Sequence, residues 1–430
     1  MPCIIDRLVG RRVWDSRGRP TVEVELHSTA GDIGRSSAPA GASRGSNEAI
    51  DLRDGGAEFG GWGVSKAVTN VNGPIRKALI GMEATDQSSI DQALIELDGT
   101  ANKSRLGGNA TIATSMAALQ LAAASHKLPL WRYLAQGTSI RLPLPEVQIF
   151  GGGVHAGNRL DIQDLMVMPI GARSFDEALV MAAEVYRIAG QTMADMNRLA
   201  GVADEGGWWP LFDSNEEALE ILSRSIERAG YGNGQVGISL DIAASQLVSN
   251  GQYRTKLDHR EHSAEEWLEV LLGWVRRYPI LSVEDPFAED DLSGMQAFTA
   301  AVGDRVQVIG DDFLVTNAQR VVTAAQQNAC NAVLLKPNQA GTITEMRNTL
   351  NAAQSAGFGT IASARSGETE DVTIVHLAVG WNIGQLKVGA FSRSERMAKW
   401  NEGLRIEEEL GADSMFAGYA ALPAKISSPG

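Results

Sequence analysis

A chain of 430 residues is too long for one small core, so two domains are the natural division. Its 44% hydrophobic and 21% charged content is that of an ordinary globular protein, and a net charge of −14 argues against nucleic acid as a partner, because phosphates would be repelled. The two cysteines, Cys3 and Cys330, argue against a disulfide scaffold; with no signal peptide and no apolar run of about 18 residues, the cytoplasm is the expected compartment and a membrane is not an expected partner.

In chain order, residues 1–30 read as strands, with strict alternation in TVEVEL (21–26) behind an RGRP turn. The stretch 35–61 is rich in Gly, Ala and Ser and suits a mobile lid. Helical patterns follow over 65–79, 88–97 and 109–125, the last so rich in Ala, Leu and Met that a buried helix is expected. The segment QGTSIRLPLP (136–145) marks the boundary between a first domain, 1–137, and a second, 138–430. Strand and helix signals then alternate to about residue 410. Helices are expected over 174–189, 215–229, 264–277, 317–328 and 342–356, with Ser or Asn at several starts. The tail after Gly411 carries no strong signal and is expected to be partly disordered. The fold class is α/β: an α+β lid domain before a β/α barrel.

Six apolar runs in the second domain end in a charge. They are VGISLD with Asp241, ILSVED with Glu284, VQVIGDD with Asp311, AVLLK with Lys336, GTIASAR with Arg365, and GQLKVG with Lys387. The gaps of 43, 27, 25, 29 and 22 residues each fit a strand, a loop and an amphipathic helix. In a barrel of parallel strands the carboxyl ends form one mouth, so three acids and three bases converge there. The acids can hold a hard cation and the bases an anionic substrate. Any one such acid is as easily a helix cap or an ion-pair partner. A Lys ending a buried strand is rarer, since burying an ammonium is costly without partners.

The words around these positions, among them DSRGRPTVEVEL, GASRGSNEAIDLRDG, LDGTANKSRLGGNA, VADEGGWWP, VEDPFAEDD, GDDFLVTN, RSGETED, RSERMAKWN and LRIEEELG, resemble enolase from about Asp15 to Gly411. The resemblance implies a lid domain and a TIM-like (β/α)8 barrel. It implies dehydration of 2-phosphoglycerate to phosphoenolpyruvate with two Mg²⁺ ions, the second brought by the substrate, and a homo-oligomer, most simply a dimer. By the same resemblance, Asp241, Glu284 and Asp311 match ligands of the first ion, and Ser43 joins the second. Lys336 matches the base, Lys387 the carboxylate-binding lysine, and Arg365 and Ser366 the phosphate contacts. Glu205 matches the acid near the leaving hydroxyl, and His155 a loop histidine that closes over the substrate. The proton beside a carboxylate is weakly acidic, so the base must be neutral, and neighbouring cations are expected to lower the pKa of Lys336. Asp312, next to Asp311, reads as a supporting acid and not a ligand.

The chain departs from the family pattern in a cluster of places. Asp164 stands for a catalytic glutamate (DIQDLM), Ala364 for the histidine of SHRSG, and Ala40 and Arg44 for a serine and a threonine of the lid. Gly151 stands for the asparagine of NGG, and Pro337 for a leucine. Groups that handle the carboxylate are kept, whereas the phosphorus side and the lid change; Arg44 adds a substrate-facing cation. The departures favour a specialised paralogue acting on a phosphono carboxylic acid, such as the carboxyphosphonoenolpyruvate synthase of phosphonate and phosphinate biosynthesis. The alternative is an ordinary enolase, and a non-catalytic binding protein is a distant third.

Overall fold

Alternation in the first strands becomes a one-sided sheet. Strand β1 (Ile5–Trp14) pairs antiparallel with β2 (Pro20–Ser28), and β2 with β3 (Ile33–Ser37), so Val22, Val24 and Leu26 all turn inward. The structure is a computed structural model and describes residues 2–42, 45–232 and 234–426. Helix α1 (Gln87–Asp98) is followed by α2 (Gly108–Ser125), which lies on β2 and β3 and is buried over nearly its whole length, as its Ala-rich sequence predicts. The approach is close: a Cβ on Gly34 would stand 2.2 Å from the carbonyl oxygen of Ala117. The helix expected over 65–79 is broken. Residues Ser65–Asn70 and Arg76–Leu79 are α-helical, and a π turn at Val71–Ile75 separates them. Pro74 lies in that turn, where its missing N–H and its ring disrupt the α ladder.

The second domain is an eight-stranded barrel. Its strands are β4 (Leu144–Gly151), β5 (Asp164–Met168), β6 (Gly237–Asp241), β7 (Ile280–Glu284), β8 (Gln307–Gly310), β9 (Ala332–Leu335), β10 (Gly359–Ser363) and β11 (Gln385–Gly389). Neighbours pair in that order, and β11 closes back on β4. The barrel is not all parallel, which corrects the expectation: β5 runs antiparallel to both β4 and β6. The reason is the connection. Between Gly151 and Asp164 it holds one 3₁₀ turn, Gly153–Ala156, and no α-helix, whereas a parallel crossover usually runs through a helix. The reversal puts Asp164, the first residue of its strand, directly beside Asp241, the last of its own.

Helices Phe175–Asp195, Asn215–Arg228, Ala264–Arg277, Ala318–Gln326 and Ile343–Ala356 surround the barrel. Each begins at a side-chain cap, respectively Ser174, Ser214, Ser263, Asn317 and Thr342, that accepts from an amide of the first turn. The last of these helices also ties the two domains. Asp91 of α1 accepts from the Thr344 amide at 2.8 Å, and Ser115 of α2 accepts from that of Ile343 at 3.0 Å. The tail after Gly411, read in the sequence as partly disordered, is described as far as Ile426. Met415–Phe416 pairs with Arg141–Leu142, and Leu422 and Ile426 bury themselves with Leu144, Met168 and Ile170 under the barrel. Burying a large aliphatic side chain stabilises by about 1.5–3 kcal/mol, which offsets part of the cost of ordering the segment. Among the described residues, no helix is long and apolar enough to cross a membrane.

Candidate active site

The strand order delivers the six charged positions to one end of the barrel. Asp241 and Glu284 end β6 and β7, Asp311 and Lys336 directly follow β8 and β9, Arg365 lies two residues past β10, and Lys387 lies within β11. One cavity, with a free volume of about 20 Å³, is bounded by Asp241, Lys336, Arg365, Ser366 and Lys387 together with His155, Asp164 and Glu205. Glu284 and Asp311 stand behind it, in contact with the two lysines. Ser43 and Arg44 lie outside the described residues.

Charge pairing fills this mouth. Lys387 Nζ stands 2.7 Å from Glu284 and 3.4 Å from both Asp241 and Asp164. Burial lowers its pKa, but Glu284, Asp241 and Asp164 outweigh burial and hold it well above the ordinary value. Lys336 is ion-paired with Asp311. Burial pushes the Lys336 pKa down, the Asp311 carboxylate pushes it up, and the carboxylate wins. Arg365 and Lys387 push the Lys336 pKa down, in the direction expected of neighbouring cations, and Asp311 is the nearest opposing charge. Asp311 is the complement: burial raises it, but Lys336 and then Arg365 bring it below the usual range. His155 stands 3.5 Å from Asp164; burial would lower its pKa, but Asp164 and Glu205 raise it.

Three carboxylates are candidates for a hard divalent cation. Glu284 is fully buried, and its Oε1 has no hydrogen-bond partner. Burial first, and Asp241 second, raise its pKa well above the ordinary value; burial also raises that of Asp241. A lone oxygen on an acid so disfavoured as an anion is compensated by a cation, and an all-carboxylate donor set is the chemistry that Mg²⁺ takes. The residues therefore fit the ion. The trio is not the tightest grouping, however. Among the described residues, His155 with Asp164 and Glu205, and Asp285 with Asp311 and Asp312, have their ligand atoms within 4.8 Å of one another. Lys387 lies between Asp241 and Glu284, which keeps the expected trio apart. Asp312 belongs to the second of these groups: its amide donates to Asp285 at 2.7 Å, and burial with Asp311 beside it pushes its pKa up to about 8.

Several supporting residues escape sequence reasoning. Gln163 donates to Asp241 at 2.8 Å, and Gln339 to Asp311 at 2.9 Å. Asp285, in a left-handed conformation with φ of 41°, accepts from the amide of Asp311 at 2.9 Å. Glu48, just past the lid, takes both terminal nitrogens of Arg365 at 3.0 and 3.2 Å. Arg396 donates to the carbonyls of Arg365 and Ser366 at 2.7 and 2.6 Å. Glu48 stands within the lid motif GASRGSNEA, Gln163 within DIQDLM, Asp285 within VEDPFAEDD and Arg396 within RSERMAKWN; Gln339 lies in none of these motifs. The lid is docked on the barrel: Ala40 and Gly367 exchange main-chain hydrogen bonds of 2.9 Å, and the Ala42 amide donates to Ser366 Oγ at 2.7 Å.

Comparison with known proteins agrees with this geometry. Residues 5–134 match the family described as "Enolase, N-terminal domain", and residues 139–424 match "Enolase, C-terminal TIM barrel domain". A protein named "Enolase 1" from Desulfitobacterium hafniense (strain Y51) is 48% identical over 416 residues, covering 96% of this chain and 95% of the relative. An eight-stranded barrel whose mouth gathers three acids and three bases, behind a lid domain of the matching kind, leads to one conclusion: the chain belongs to the enolase family.

Proposed function

We propose that this protein is an ordinary magnesium-dependent enolase, which dehydrates 2-phosphoglycerate to phosphoenolpyruvate. The observation that carries the reading is the convergence of Lys336, Lys387 and Glu205 on one cavity backed by buried carboxylates. The relative named Enolase 1 favours this reaction over the specialised one to which the departures had pointed. Asp241, Glu284 and Asp311 would hold the ion, with Ser43 reaching a second that arrives with the substrate. Magnesium, when bound, neutralises charge on the substrate carboxylate as its α-proton leaves. Lys336 Nζ takes that proton, and Lys387 binds the carboxylate. Arg365 and Ser366 hold the phosphate, with His155 closing beside them. Glu205 gives a proton to the departing hydroxyl. Lys336 follows β9 whereas the Glu205 loop packs on β4, so base and acid approach from different sides of the barrel. Phosphorus NMR of a mixture of protein, Mg²⁺ and 2-phosphoglycerate should show phosphoenolpyruvate as the product; unchanged substrate would reject the reading.

A second reading, a specialised enolpyruvyl-forming enzyme, keeps support from two side chains at the cavity. Ala364 borders it beside Arg365, where the family's histidine would fill space, and Asp164 is one methylene shorter than the family's glutamate. On that reading, Asp164→Glu combined with Ala364→His should raise 2-phosphoglycerate dehydration about 100-fold from a low start, since about 1 Å of misplacement costs that much. The two sites share one cavity, so their effects need not add. An already efficient wild type that gains nothing from the double substitution leaves only the ordinary enolase.

We also infer a homodimer. Trp14 and Phe59 are exposed large apolar side chains, packed edge-on at 5.3 Å with Arg12 over both rings, a composition that interfaces favour. Sedimentation should give about twice the chain mass of 45.9 kDa. A single 45.9 kDa species at micromolar concentration would contradict the dimer.

A further inference from the structure

We propose that Gln148 is a positioning residue that sets Asp164 and the Glu205 loop in register with each other. Gln148 lies on β4, is 1% exposed, and uses both ends of its amide. Its Nε2 donates to Asp164 Oδ1, and its Oε1 accepts from the Gly207 amide at 2.7 Å. Chemistry fixes that orientation. An ionised carboxylate only accepts and a main-chain amide only donates, so the flipped amide would lose both bonds. The Gly207 amide alone requires Gln148 to present its oxygen there, and Lys387 at 3.4 Å and His155 at 3.5 Å face the same Asp164 carboxylate.

The Gly207 end matters because of what the loop carries. Residues 203–207 form a tight turn in which the Gly206 amide donates to Ala203 at 3.0 Å and that of Ala203 to Gly207 at 2.8 Å. Glu205 sits inside this turn, and its own carbonyl accepts from the Ala390 amide at 2.9 Å. The Gln148 amide is seated where no side chain intervenes: a Cβ on Gly207 would come within 2.5 Å of Gln148 Oε1. One side chain therefore touches the turn holding Glu205 and the carboxylate that, 3.4 Å from Lys387 and 3.5 Å from His155, orients two further groups of the cavity. A buried glutamine could serve only to satisfy its own polar atoms. That bland role predicts a loss of stability without preference for one step of the reaction.

The inference rests on the roles proposed above for Glu205 and Lys336, so its test has one arm in catalysis and one that is independent of it. In Gln148→Leu, elimination from 2-phosphoglycerate should fall ~100-fold, the cost of about 1 Å of misplacement. Exchange of the substrate α-proton with solvent deuterium, which needs Lys336, should stay near the wild-type rate. Independently, amide hydrogen exchange in a peptide covering 203–207 should quicken roughly tenfold, as expected when one buried hydrogen bond is lost. Gln148→Glu keeps the acceptor for the Gly207 amide but loses the donor to Asp164. It should leave amide exchange in 203–207 as in wild type while still slowing elimination, and it serves if the leucine variant does not fold. Equal loss of elimination and α-proton exchange, or unchanged amide exchange in Gln148→Leu, would overturn the proposal. A wild type that neither exchanges nor eliminates would reject the enolase reading instead, and the amide-exchange arm would still decide whether Gln148 anchors the loop.

Discussion

Lys336→Ala should abolish exchange of the 2-phosphoglycerate α-proton with solvent deuterium and reduce turnover by at least ~10²–10⁴-fold, the span expected for a general base. Glu205→Gln should also stop turnover but leave that exchange measurable, because the two groups act on different steps. The contrast separates the roles, whereas loss of activity alone would not. The lysine variant also needs a stability control. Its ammonium is the ion-pair partner of buried Asp311, and removing one member of such a pair destabilises by about 3–5 kcal/mol. Gln339 still donates to the other oxygen of Asp311 at 2.9 Å, and Arg365 still lowers its pKa, so a folded protein is expected. Normal exchange in Lys336→Ala would remove it as the base, and loss of exchange in both variants would leave Glu205 without a separate step.

Glu284→Gln should eliminate Mg²⁺ binding and activity together and make the stability of the metal-free fold less dependent on pH, while removing the 2.7 Å ion-pair partner of Lys387, which keeps Asp241 and Asp164 at 3.4 Å. The sign follows from the pKa. The folded state raises Glu284 well above its ordinary value, so between those two values the folded chain binds more protons than the unfolded one. This group's contribution to stability therefore falls as pH rises through that window, and a neutral amide removes the loss. Asp241→Asn should behave alike, and it touches more partners, because the Asp241 carboxylate faces Lys387 at 3.4 Å and also accepts from Gln163 and from the Ala243 amide. With Mg²⁺ at about 100 times its dissociation constant, the wild type should gain about 2.7 kcal/mol of stability, and neither variant should. Titration calorimetry and thermal melts with and without Mg²⁺ check both halves. A Glu284→Gln protein that still binds Mg²⁺ like wild type would place the ion elsewhere, and the cluster of Asp285, Asp311 and Asp312 would be the first place to look.

The elements that sequence reasoning reached are those in which local chemistry suffices. Ser174, Ser214 and Ser263 stand at the starts of strongly periodic segments, and each caps its helix. The apolar runs ending in Asp241, Glu284 and Lys336 become barrel strands because their pattern and spacing admit little else. The misses have nonlocal causes. DLMVM, residues 164–168, contains nothing that encodes direction; the helix-free connection before it goes with the reversal. The 65–79 segment keeps helical periodicity through Pro74, so the pattern hides the break. Leu422 and Ile426 find burial only because the underside of the barrel supplies the surface. The same holds in the site. Charged residues at strand ends are visible in a sequence, but Gln148, Gln163 and Gln339 acquire meaning only from partners brought 16, 78 and 28 residues away in the chain. The pairing of Lys336 with Asp311 is likewise nonlocal: the sequence shows charged strand ends, and the fold brings these two together.

The most direct measurement is kcat/KM of the wild type for 2-phosphoglycerate with saturating Mg²⁺. An ordinary enolase predicts a value in the usual enzyme range, ~10⁴ M⁻¹s⁻¹ or more, that vanishes with chelator and returns with Mg²⁺. A value orders of magnitude lower in a folded, Mg²⁺-binding protein would contradict the ordinary reaction and turn attention to Asp164 and Ala364.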